Sequence, residues 1–259
     1  MRVPIGILLA ALVWVCSGNA EEISMQLGED LRRLSDTRTQ DSDPAICRLA
    51  DGRLFVVCRA FLGLPVSPSP GIAVSPLDGG GDQLRGVLID AQGEPGAPLD
   101  LLDRPGDVEA VALAPGKDGS CQMIWAEQRT GNWDLYASQI RTLPTAQQLK
   151  RSAELRLTGE LGVDRSPRVS TTTGGALVRA WQGWRDGRSN IYIRRLEDGR
   201  WQEPRCVSEG ETHDWDPALA TSPGGDVAVA WTRWRERSYD VCLRVHADGT
   251  WGPVHLVAA

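Results

Sequence analysis

One pattern runs four times through the chain, and it constrains the fold more than any other feature. Asp216-Pro217-Ala218 is followed after nine residues by Gly225 and after six more by Trp231. Asp43-Pro44-Ala45 repeats these steps through Gly52 to Cys58, and Asp164-Arg165-Ser166-Pro167-Arg168-Val169 leads through Gly174-Gly175 to Ala180-Trp181. Glu109-Ala110 reaches Gly119 with one extra residue and then Trp125. The turn glycines Gly52, Gly119, Gly175 and Gly225 thus lie 67, 56 and 50 residues apart. Self-similarity at this period is the mark of a supersecondary unit stacked on copies of itself.

Each copy is made of short β-branched and aromatic runs. Leu54-Phe55-Val56-Val57, Gln122-Met123-Ile124-Trp125 and Val227-Ala228-Val229-Ala230-Trp231 all follow a Gly-containing turn, as the second strand of a hairpin would. Asn190-Ile191-Tyr192-Ile193 and Asp240-Val241-Cys242-Leu243 read as a third strand, and Arg205-Cys206-Val207 and Val254-His255-Leu256 as a fourth. No window past the N-terminal leader has a helical period. Four strands per repeat predict an all-β β-propeller of four four-stranded blades, over residues 36–102, 103–160, 161–208 and 209–259. Residues 31–35 look like a further outer strand ahead of the first blade. Either the ring closes on four blades with one strand redundant, or edges stay open; closure on four is the expectation.

The Asp-Pro-Ala…Gly-Gly…Ala-Trp pattern, and Gly131-Asn132-Trp133-Asp134-Leu135-Tyr136 above all, resemble the repeats of TolB-type (WD40-like, PD40) propellers. The resemblance covers residues 35–259, although most of the family's Ser-Pro-Asp-Gly turns are replaced and the first copy lacks the Asn-x-Asp-x-Tyr strand. It implies a propeller scaffold with a protein or cell-envelope partner and says little about chemistry, because these repeats encode hairpins.

The first twenty residues read as a secretory signal: Arg2, an apolar stretch over 5–15, then small residues up to Ala20. A lipid anchor at Cys16 is the lesser alternative. The rest, 21–259, reads as one exported domain, periplasmic or extracellular, with no transmembrane segment. A net charge of −6 without a basic run argues against nucleic acid as a partner. Past the leader, Cys47, Cys58, Cys121, Cys206 and Cys242 remain, an odd number. Cys47 and Cys58 flank one hairpin but stand diagonally across it, so all five read as small buried side chains.

In a propeller the segments entering the innermost strands and the loops between second and third strands share one face. The entering segments carry acids (Asp41 and Asp43, Asp107 and Glu109, Asp164, Asp214 and Asp216), and the loops carry Arg129, Trp184-Arg185 and Trp234-Arg235. The candidate ligand-binding residues are therefore Asp43, Glu109, Arg129, Trp184, Arg185, Asp216, Trp234 and Arg235. The Pro- and Gly-rich insertion 62–81 falls on the same face and reads as a partner-contacting loop. No nucleophile elbow, metal-ligand spacing or cofactor motif is present, so the chain is expected to be a non-catalytic binding or scaffold module with no metal or cofactor. The alternative is a carbohydrate-binding or carbohydrate-cleaving propeller of sialidase or glycosidase type, its carboxylate pair among the ring acids.

Overall fold

Glycine turns join the alternating runs into four antiparallel sheets. The computed structural model describes residue 34 and residues 39–63, 81–116, 118–142, 149–197 and 199–258. The leader, the spare strand at 31–35 (Leu34 apart) and loop residues 64–80 lie outside them. Sheet 1 is β1 (Gln40–Arg48), β2 (Leu54–Phe61), β3 (Asp82–Ile89) and β4 (Leu99–Asp100), in that order. Sheet 2 is β5 (Asp107–Pro115), β6 (Cys121–Gln128), β7 (Trp133–Thr142), β8 (Leu149–Arg151) and β9 (Leu155–Arg156). Sheet 3 is β10 (Asp164–Thr171), β11 (Leu177–Arg185), β12 (Arg188–Glu197), β13 (Arg200–Trp201) and β14 (Arg205–Cys206). Sheet 4 is β15 (His213–Thr221), β16 (Val227–Arg235), β17 (Ser238–Ala247), β18 (Thr250–Trp251) and β19 (His255–Ala258). The four sheets are the blades of a β-propeller, and the described residues include no helix.

The outer strand differs from the sequence expectation. It is broken into two short pieces, β13 and β14 or β18 and β19, both paired to the third strand of their blade. Pro204 and Pro253 sit at these breaks and have no N–H to give to a ladder.

Strand alternation gives each blade two apolar faces. Met123 and Trp125 of β6 pack with Phe55, Val57 and Leu84 of sheet 1, while Ile124 and Ala126 of the same strand pack with Trp181 of sheet 3. Val178, Ile191 and Val207 of sheet 3 meet Val227, Val229 and Trp231 of sheet 4. The junction between sheets 4 and 1 is different: no core cluster joins them among the described residues. Val241 and Val257 are 40% and 60% exposed, where their counterparts one blade earlier, Ile191 and Val207, are fully buried. Among the described residues, this junction of the expected four-blade ring shares no apolar core.

A buried polar lock recurs in three blades. In blade 4 the Trp231 indole donates to Asp214 Oδ1 (3.0 Å), and Arg233 grips the same carboxylate through Nε (2.8 Å) and Nη2 (3.1 Å). In blade 3 Trp181 and Arg185 hold Asp164 at 2.9 and 2.8 Å. In blade 2 Trp125 and Arg129 hold Glu127 at 2.8 and 2.6 Å, so the acid has moved from the first strand to the second. A carboxylate this deep is tolerated because the cation and the indole N–H satisfy it. Blade 1 has Cys58 at the tryptophan position, and no such lock.

Two predictions follow from this scaffold. Asp214→Ala leaves the buried Trp231 N–H without its acceptor and Arg233 without its carboxylate, with only the Ser208 and Glu209 carbonyls to accept from it, and should cost about 3–5 kcal/mol in urea unfolding. Asp216→Asn, two residues on but exposed, should stay within about 0.5 kcal/mol; equal losses would refute the separate roles of these acids. The second concerns the β16–β17 turn, where Glu236 and Arg237 hold φ of 52° and 71°, values that cost a side-chain-bearing residue energy. The matching β11–β12 turn uses Asp186-Gly187. Arg237→Gly should raise stability by about 0.5–1 kcal/mol, and an unchanged or lower urea midpoint would contradict the strain.

Candidate functional site

Every innermost strand carries a β-bulge at the same repeat position. Register shifts fall between Ser42 and Ala45, Val108 and Val111, Arg165 and Arg168, and Trp215 and Ala218. The bulged residues are Asp43-Pro44, Glu109-Ala110, Ser166-Pro167 and Asp216-Pro217. Asp43, Ser166 and Asp216 adopt φ of 51°, 49° and 50°. Short polar residues tolerate this left-handed conformation best, and a bulge re-aims the side chain it carries. Here the four bulges meet around one cavity of about 500 Å³, lined by Asp43, Glu109, Ser166, Arg168 and Asp216 with apolar groups of the same strands.

The groups on this cavity differ in how they are satisfied. Asp43 is paired with Arg59, whose Nε stands 3.0 Å from Oδ2. Arg59 also donates to the Val108 carbonyl (3.2 Å), tying blade 1 to blade 2 beside Glu109. Arg165 Nε lies 3.0 Å from Glu109 Oε2, but the two are not aligned as a hydrogen bond. Burial pushes the Glu109 carboxyl above its ordinary range; Arg165 and Arg59 oppose this, and the charges of Asp43 and Asp216 add to it. Asp216 has no hydrogen bond or ion pair with any described residue, and it is exposed to the cavity. Arg168 donates only to the neighbouring Pro167 carbonyl (2.9 Å). Burial works against its charge, and Asp216 and Asp43 support it.

Of the residues expected from sequence, the cavity brings together Asp43, Glu109 and Asp216. It does not include the rest. Arg129 and Arg185 are held in the locks of blades 2 and 3, Arg129 also pairing with Glu154. Arg185 borders a separate cavity of about 340 Å³ with Trp181, Tyr192 and Arg194. Arg235 Nε sits 3.0 Å from Asp240 Oδ2. Trp184 and Trp234 belong to an aromatic strip across blades 3 and 4. Trp184 stacks on His213 (5.3 Å, 22°), His213 on Trp215 (5.7 Å, 11°), and Tyr239 touches both Trp215 and Trp234 at 6.0 and 4.8 Å. Trp184 is 42% exposed and Tyr239 62%. Partner contacts through loop 62–81 rest on residues largely outside those described.

Sequence reading missed Ser166 and Arg168. Their signal was the alignment itself: Ser166-Pro167 occupies the Asp-Pro position, and Arg168 takes a place that is alanine or valine in the other repeats. Asp164 drew attention instead because it is the acid of that segment, but it is fully buried in the lock.

No family model matches the chain, and no curated protein matches it in sequence. Solved structures do share its fold. A protein of unknown function from Dyadobacter fermentans aligns with a TM-score of 0.62 at 12% identity, over 85% of this chain and 70% of that one. A Hadza microbial sialidase aligns at 0.56 and 12% identity, over 82% of this chain and 45% of its own, so this chain spans less than half of it. An α-L-arabinofuranosidase of Fusarium graminearum in complex with arabinobiose aligns at 0.54 and 12%, over 86% and 69%. The likeness is one of fold, that of the β-propeller. It counts against the expectation of a non-catalytic scaffold, because glycosidases are among the structures built this way, and among the described residues the acids on the axis are not all paired with arginines.

Proposed function

We propose that the chain is a carbohydrate-active propeller that cleaves a glycosidic bond in its axial cavity. The observation that carries this reading is the pairing of two unlike carboxyls there. Burial biases Glu109 toward its protonated form, and Asp216 is exposed to the cavity with no hydrogen bond or ion pair among the described residues. Environments that drive two carboxyls apart in this way divide the labour of glycoside hydrolysis. Glu109 would give its proton to the leaving glycosidic oxygen, and Asp216 would attack the anomeric carbon or draw the proton from the attacking water. Arg168 would hold sugar hydroxyls through the guanidinium N–H groups that the Pro167 carbonyl leaves unused. The glycosidases that share the fold support the reaction class. Export behind a leader over residues 1–20 belongs to the same proposal and would carry the protein to glycans outside the cytoplasm.

The test is a panel of aryl glycosides that includes α-L-arabinofuranosides and sialosides, run with the wild type, Glu109→Gln and Asp216→Asn. Each substitution should lower kcat/KM by about 10²–10⁴-fold on the substrate that turns over. Glycan retention without cleavage would replace the reading with a binding module, with the Trp184–Tyr239 strip as its sugar-stacking surface. Neither cleavage nor retention would remove it altogether.

The pH profile is a further check. The proton donor must be protonated, so activity should fall as pH rises through the elevated pKa of Glu109. Arg165→Met removes the largest influence holding that pKa down, so the alkaline limb should move to higher pH. An alkaline limb that stays put in this variant would assign the proton to another group.

A further inference from the structure

Cys47 lies near the end of β1 in blade 1, and Cys121 opens β6 in blade 2. They are far apart in sequence, but the turns beside them abut. A Cβ placed on Gly119 would stand 3.2 Å from the Ala50 methyl, and Thr142 Oγ1 is 3.4 Å from Asp51 Oδ2. Both are free thiols buried in the one core cluster between the two blades, 3% and 0% exposed, and near enough to perturb each other's ionisation. Their polar contacts are weak, to the carbonyls of Arg48 (3.6 Å) and Gln122 (3.7 Å). The other cysteines are not placed in this way: Cys58 faces the Arg85 carbonyl, and Cys206 and Cys242 lie in blades 3 and 4.

We propose that Cys47 and Cys121 form a disulfide that staples blade 1 to blade 2 when the chain folds in an oxidising compartment. The bond fits the place where it is needed, because among the described residues blade 1 has no Trp–carboxylate–Arg lock and shares no core cluster with blade 4. The oxidant is an exchanging disulfide, either a small molecule or that of a thiol oxidoreductase. The Cys47 thiolate attacks it, forming a mixed disulfide and expelling one thiolate. The Cys121 thiol then loses its proton, attacks the Cys47 sulfur and expels the second thiol. Two protein thiols and one disulfide thus give one protein disulfide and two thiols, with two electrons passed to the oxidant. Both sulfurs are buried in the folded chain, so the exchange precedes closure of the two blades. The proposal rests on export but not on any activity toward glycans.

The test is to refold the full chain in a glutathione redox buffer, alkylate it in denaturant and map its peptides without reduction. The peptides holding Cys47 and Cys121 should appear linked, with Cys58, Cys206 and Cys242 alkylated. The oxidised chain should melt roughly 10 °C above the reduced one, given the long loop closed. The double variant Cys47→Ala/Cys121→Ala should melt near the reduced wild type and no longer respond to oxidant. Alkylation of both cysteines in a refolded chain that unfolds cooperatively would overturn the proposal, as would a bridge from Cys47 to Cys58. A double variant that still gains stability from oxidant would overturn it as well.

Discussion

The bulge in each innermost strand is the constraint on which the rest of this molecule depends. In an unbroken strand, residues two apart point the same way. The inserted residue breaks that period, so two acids of one segment receive opposite surroundings. Asp214 enters the blade and is held by Trp231 and Arg233, while Asp216 reaches the axis with no partner. The same division separates Asp164 from Ser166. One carboxylate is held inside the blade, and the other is exposed to the axial cavity. In blades 1, 3 and 4 the bulge is left-handed and falls on aspartate or serine ahead of a proline, which accounts for the recurring Asp-Pro or Ser-Pro dipeptide without reference to a ligand; blade 2 makes its bulge with Glu109-Ala110 and no positive φ.

The blades are not equivalent, and the differences follow the sequence. Cys58 replaces the tryptophan in blade 1, and there Arg59 carries the polar connections, to Asp43 on the axis and to the Val108 carbonyl in blade 2. Blade 4 has a full lock toward blade 3 but leaves Val241 and Val257 open on its other face. Among the described residues, packing is therefore continuous from blade 1 through blade 4, and no core cluster joins blades 4 and 1. The cavity is framed by all four inner strands even so, because the bulges lie near the axis, where those strands converge.

Much of the fold was legible in the sequence. Gly175 and Gly225 marked the hairpin turns, alternation marked the strands, and the fifty-residue spacing marked the blades. What alternation could not locate was the bulge, and with it which of two neighbouring acids faces the axis. Arg129 and Arg185 were assigned to the ligand face because their loops lie there, but a long guanidinium can fold back to a buried carboxylate, and these do. The non-catalytic expectation failed for a related reason. Motif reading looks for reactive groups close together in sequence, whereas Asp43, Glu109 and Asp216 come from three blades and meet only through the repeat geometry. Arg168 was visible as the one charged residue at an otherwise small position, yet its meaning required knowing that the position faces a cavity.

The central claim is that the bulges present partner-seeking groups to a ligand on the propeller axis. Its most direct test is a crystal structure of the chain soaked with a hydrolysis-resistant oligosaccharide. The account predicts a sugar ring in the axial cavity, with hydroxyls within hydrogen-bonding distance of Asp216 and Arg168 and a glycosidic oxygen facing Glu109. A sugar bound only at the Trp184–Tyr239 strip, with the cavity empty and Asp216 turned onto Arg168, would contradict it.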